Sequence, residues 1–211
     1  MNTRIMVCLT AIFLLGSLIL IQTTNAALKK GTLRVSGDNQ WVVFINGEEV
    51  ARNTDWQIPT ATDFTLDNGF ALIAVYVHDN EAGNTGRGGF LADIILDDKP
   101  NYIGTGEEGW KCDTGQLLSQ RNDGWEKINF DDSDWETDLE IMDKFGAGIW
   151  GGGTNKMQQV LNNPDCTANW VWCGPNDGED DIYFRYTIGQ YPVEPKGKLT
   201  TSWASIKSNI Q

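Results

Sequence analysis

The chain has 211 residues, 40% of them hydrophobic and 10% aromatic, with a formal net charge of −13 at pH 7. Acidity on that scale repels a phosphate backbone and excludes nucleic acid as a natural partner; cations, neutral glycans, basic proteins or plain solubility are what it suits. One histidine, and four cysteines without a second close pair, argue against an ordinary zinc site.

Taken in chain order, the first element stands outside the fold. Arg4 precedes an apolar run from Ile5 to Ile21, and small or polar residues lead to Ala26 and Ala27, the build of a secretory leader cleaved near Ala26. An uncleaved signal anchor is the competing reading, because the run approaches the shortest bilayer span. The expected divisions are a leader over 1–26, one domain over 27–189 and a tail over 190–211. That describes a secreted, extracellular protein with no membrane contact after cleavage, and with enough chain for one sizeable core.

In GTLRVSG, Leu33 and Val35 alternate with Thr32, Arg34 and Ser36, which predicts a half-exposed strand. WVVFING is apolar on both faces, as an inner strand is, and Asn46-Gly47 then supplies the positive φ angles of a tight hairpin. FALIAVYVH reads as a central strand with Ala71, Ile73, Val75 and Val77 on one face and Phe70, Leu72, Ala74 and Tyr76 on the other. GFLADIIL (Gly89 to Leu96) and DIYFRYTI (Asp181 to Ile188) follow; in the latter Ile182, Phe184, Tyr186 and Ile188 face inward, and Tyr183, Arg185 and Thr187 outward. Met157, Val160 and Leu161 have helical spacing before Pro164, and Leu199, Trp203 and Ile206 suggest a short docking helix in the tail. Many short strands, abundant glycine and no repeat predict an all-β jelly-roll or sandwich with long loops and one or two short helices.

Cys8 leaves with the leader, so Cys112, Cys166 and Cys173 remain in an oxidising compartment. CTANWVWC closes a short loop, and Cys166 to Cys173 is the expected bridge. Cys112 is then free, buried or joined to another chain, so that it or the tail would serve self-association.

The order LRVSGDNQWVVFINGEEVARNTDW, FALIAVYVHDNEAGNTGRGGFLADIIL, GWEKINFDDSDWE, FGAGIWGGG and WVWC…DIYFRYTI resembles the galactose-binding-domain-like jelly roll, over roughly Leu28 to Gly189. The resemblance implies a module found beside glycoside hydrolases or alone in secreted proteins. It further implies carbohydrate or protein met by loops at one end of the sandwich, calcium often held at a structural site, and no catalytic machinery of its own. In FDDSDWE it implies a connection whose Asp and Ser side chains bond nearby backbone N–H groups while the aromatics plug the sandwich. A calcium site there would lack a glycine to turn the loop and is interrupted by Trp135. Glycosidase carboxylates come from separate parts of a fold, which one short turn does not supply.

His78, the only imidazole, reads as a strand-end residue satisfied by the backbone, and the glycine-rich GTGEEG and GGGTNK lack phosphate-loop spacing. No enzyme is expected, and no cofactor beyond structural calcium. A sugar site needs flat apolar surface beside planar amides, carboxylates or guanidinium groups. The loop HDNEAGNTGRGG offers Asn80, Glu81, Asn84 and Arg87, and the candidate aromatic platforms are Trp56 and Trp150, each also explicable as packing. Two functions stay open: a lectin-like module binding a glycan or extracellular glycoprotein, and a structural or adhesive component of a matrix or coat.

Overall fold

Asn46 (φ 53°) and Gly47 (φ 88°) take the left-handed angles expected of them, so the chain reverses between β2 (Gln40–Ile45) and β3 (Glu48–Asn53). Similar local logic builds every strand of the computed structural model, which describes residues 29–80, 87–97, 103–144, 168–175 and 178–191. The others are β1 (Lys30–Asp38), β4 (Thr60–Thr65), β5 (Ala71–His78), β6 (Gly89–Leu96), β7 (Ile103–Gly104), β8 (Trp110–Thr114), β9 (Glu140–Lys144), β10 (Asn169–Trp172) and β11 (Asp181–Ile188). There is no helix among the described residues. The helix expected between Asn155 and Asn163, and the tail beyond Tyr191, lie outside them.

The strands form two antiparallel sheets. One runs β4-β1-β6-β10-β9 with β7 paired to β6; the other runs β3-β2-β5-β11-β8. The faces that meet carry Leu33 and Val35 from β1, the odd-numbered residues Ala71 to Val77 from β5, Phe90 to Leu96 at even positions of β6, and Ile182, Phe184 and Ile188 from β11. The architecture is the expected β-sandwich, with β5 inside its sheet. Lys29 and Tyr191 lie at one end, where the Leu66 N–H bonds the Lys29 carbonyl and Phe70 packs on Tyr191. His78, Asp38, Gly89 and Asp181 are at the other.

Three expectations are corrected. First, the polar side of β1 is buried: Ser36 and Asp93 are fully buried and Arg34 nearly so, because Arg34 faces Asp93 across the β1–β6 pair and is neutralised by it. Second, Tyr183 and Arg185 do face away from the main core, yet both are buried beneath the segment running from Gly115 to Asp138. There Trp125 and Trp135 join Val42, Ala74, Tyr76 and Tyr183 in a second apolar cluster. Third, the disulfide joins Cys112 to Cys173, not Cys166 to Cys173. Short loop spacing favoured the latter, but the facing sheets bring the β8 cysteine to 5.9 Å, Cα to Cα, from the residue that follows β10. Cys112 is fully buried in that bridge and is not available for self-association. Cys166 lies outside the described residues.

Packing leaves no room for a Cβ at several glycines, Gly88 among them. A Cβ on Gly88 would stand 2.2 Å from the ring of Trp172, which is fully buried and donates its indole N–H to the Glu179 carbonyl. Gly88→Ala should therefore destabilise the fold by about 1–3 kcal/mol, read as a lowered denaturation midpoint with an unchanged denaturant slope.

Candidate ligand-binding cleft

The outer face of the β3-β2-β5-β11-β8 sheet is covered unevenly. Residues 115–138 are held over part of it by two arginines. Arg185 gives Nε to Asp132 Oδ2 (2.7 Å) and Nη1 to the carbonyls of Trp125 and Lys127, with Phe130 and Trp135 rings beside its guanidinium. Arg121 lies 4.2 Å above the Tyr183 ring and pairs with Asp113 and Asp123.

This arrangement settles what FDDSDWE does. Asp131 accepts the Ser133 N–H, Phe130 and Trp135 pack edge-on at 5.8 Å, and the two oxygens of Asp132 take Lys111 Nζ (2.8 Å) and Arg185 Nε. The stretch is a structural clamp. Burial alone would raise the Asp132 carboxyl, but the bonds from Lys111 and Arg185 outweigh it and hold the group below the usual carboxylate range. Because the folded value is depressed, the stabilisation is present above the unfolded carboxylate range and lost as pH falls through the folded one. Asp132→Asn should melt lower than the parent at pH 6, with the gap closing as both are acidified. A constant gap in melts taken across the acid range would contradict this.

Beyond the reach of that segment the sheet face opens into a cleft of about 430 Å³. Its floor is made by Gln40 and Val42 of β2 and by His78 and Tyr76 of β5, which register sets opposite each other. Asp181 and Tyr183 of β11 pair with His78 and Tyr76 from the far side and stand behind the floor. One wall is Arg52, Asn53 and Thr54 at the end of β3, and the other is Leu117, Leu118 and Ser119. Leu117 is 40% exposed, so its aliphatic surface faces solvent at the mouth.

The polar groups are preorganised. Asp181 Oδ1 accepts both the Tyr76 hydroxyl (2.5 Å) and His78 Nδ1 (2.9 Å). His78 is thus satisfied by a carboxylate, not by the backbone as its place at a strand end suggested. Burial, and then the Asp181 carboxylate, drive the Tyr76 phenol far above its ordinary range, so it stays a donor. Gln40 Nε2 donates to Asn80 Oδ1 (2.6 Å), and the Asn80 N–H donates to Asn39 Oδ1 (2.7 Å). The Arg52 guanidinium, mostly exposed, is forked onto Glu49.

Of the residues singled out in the sequence, Asn80 joins this site through Gln40. Arg87 is exposed just before β6, at the same end of the sandwich. Trp56, in the turn between β3 and β4, is half-buried: Ser36 Oγ bonds its carbonyl and its ring meets Trp170 edge-on at 6.2 Å. Glu81, Asn84 and Trp150 lie outside the described residues. Sequence reasoning missed Gln40, Tyr76, His78 and Leu117 as a group. The even-numbered face of FALIAVYVH held a signal in Tyr76 and His78, whose polar tips break an otherwise apolar strand.

Comparison with known proteins finds one partial similarity. An α-L-rhamnosidase from Streptomyces avermitilis is 28% identical over 130 residues, covering 57% of this chain. The chain matches a carbohydrate-active enzyme. It spans only 12% of that enzyme's length. No family model matches, and no solved structure matches.

Proposed function

We propose that the sandwich is a secreted, non-enzymatic carbohydrate-binding module, of the galactose-binding-domain-like kind, whose ligand is a neutral glycan held in the Gln40–His78–Leu117 cleft. The cleft carries this reading. It sets aliphatic and aromatic surface (Val42, Leu117, Tyr76) beside a planar amide and an imidazole, the combination a sugar ring with its hydroxyls requires. The match to part of a rhamnosidase supports a glycan as ligand and makes rhamnose a sugar to try first. The Cys112–Cys173 bridge supports an oxidising, extracellular setting and a leader over 1–26. Asn80 and Arg87 extend the site along the same end of the sandwich. Lys29 and Tyr191, where the domain joins the rest of the chain, lie at the opposite end from His78, so tethering leaves the cleft accessible.

The test is calorimetric titration of the full chain with methyl glycosides of L-rhamnose, D-galactose, D-glucose and D-mannose. At least one should bind, and Gln40→Ala should weaken it about fivefold, the worth of one hydrogen bond. Silence across the panel would sink the reading. Release of nitrophenol from any aryl glycoside would show that the module is an enzyme after all.

A further inference from the structure

Within this proposed site we infer that His78 is the residue that reads a ligand hydroxyl, through Nε2 as acceptor, with Asp181 and Tyr76 as positioning residues behind it. This rests on the carbohydrate reading and goes further, naming the atom. A carboxylate that already takes the Tyr76 hydroxyl can only accept, so the proton between Asp181 Oδ1 and the ring sits on His78 Nδ1. In the neutral ring that leaves Nε2 with its lone pair and no hydrogen bond among the described residues, while the side chain remains 21% exposed and lines the cleft.

Tyr76 lies parallel to the imidazole (10° between planes, centroids 6.4 Å apart). On the β2 side the neighbour is Gln40, whose Nε2 is committed to Asn80, leaving Oε1 with no hydrogen bond among the described residues. Among the described residues, the charged groups near the ring include Asp181 from β11, in contact, Arg52 from β3, turned to Glu49, and, at the adjoining strand ends, Asp79 and Asp180. Two acceptors, His78 Nε2 and Gln40 Oε1, therefore stand side by side at the polar end of the floor, with apolar surface beyond. They suit a pair of neighbouring hydroxyls on a sugar that sets its C–H face against Val42 and Leu117.

Because His78 is the sole histidine, nitrogen NMR of the imidazole in the full-length protein gives an isolated reporter. Titration with each methyl glycoside of the panel should move the Nε2 resonance upfield, as an unprotonated nitrogen does on accepting a hydrogen bond, while Nδ1 keeps its protonated shift. His78→Ala should lower affinity about fivefold to tenfold. Asp181→Ala should let the ring take both tautomers, visible as averaged nitrogen shifts, with a smaller loss of affinity. A glycoside that binds by calorimetry while both nitrogens stay still overturns the role of His78 and leaves the carbohydrate reading standing. An unliganded ring protonated on Nε2 would also overturn it, whatever binds. No binding by any member of the panel removes both together.

Discussion

Reducing the Cys112–Cys173 bridge is expected to lower folding stability by about 4 kcal/mol and the melting temperature by on the order of 10 °C. The two cysteines are 61 residues apart in sequence, so the bond removes a large share of the unfolded chain's loop-closure freedom. It also ties β8 of one sheet to the chain leaving β10 of the other, in the middle of the shared core. Thermal melts with and without a phosphine reductant measure the effect, and the paired Cys112→Ala and Cys173→Ala substitutions should reproduce it. Peptide mapping under non-reducing conditions supplies the sharper check: a fragment linking Cys166 to Cys173 would refute the pairing, as would a melt indifferent to reductant.

Asp93→Ala should cost about 3–5 kcal/mol, the largest single-residue effect expected in this molecule. Asp93 is fully buried and Arg34 nearly so, and they meet side by side, Arg34 Nε donating to Asp93 Oδ1 at 2.6 Å and Nη2 to Oδ2. Removing the carboxylate leaves a guanidinium out of water without its counter-charge. The Coulomb attraction within such a pair mostly offsets the desolvation of its two members, so the pair itself contributes little net stability. The combined change Arg34→Met with Asp93→Leu should therefore recover most of the loss. Urea denaturation of the single and double variants closes the cycle. A double variant no more stable than Asp93→Ala would mean that the ion pair is needed for something beyond mutual neutralisation.

These two expectations mark where reading along the chain stops. Strand content was legible because it is local: alternation in DIYFRYTI, the continuous apolar run of FALIAVYVH and the Asn46-Gly47 turn each act over a few residues. The same alternation holds in the structure: Ala71, Ile73, Val75 and Val77 share the core face of β5, and Ile182, Phe184 and Ile188 of β11 join them, with Tyr186 partly buried against the core. What lay on the outward faces was not legible. Arg34 and Arg185 look like solvent-facing charges in their own strands; only Asp93, fifty-nine positions away, and Asp132, fifty-three positions away, make them burial sites. The same limit applied to the cysteines, where short spacing pointed to a loop and the stacking of two sheets supplied a distant partner.

The candidate site divides in the same way. Sequence alone determined an acidic, all-β chain with polar, glycine-rich connections, since charge, period and turn chemistry are properties of short segments. Which polar groups stand together was decided by register: Gln40, His78 and Asp181 become neighbours because β2, β5 and β11 pair side by side, and Leu117 reaches them because Arg185 and Arg121 pin its segment to the sheet. Hydrogen-bonded register and long-range burial of charge act between residues far apart in the chain, and that is the part of the physics a linear pattern does not carry.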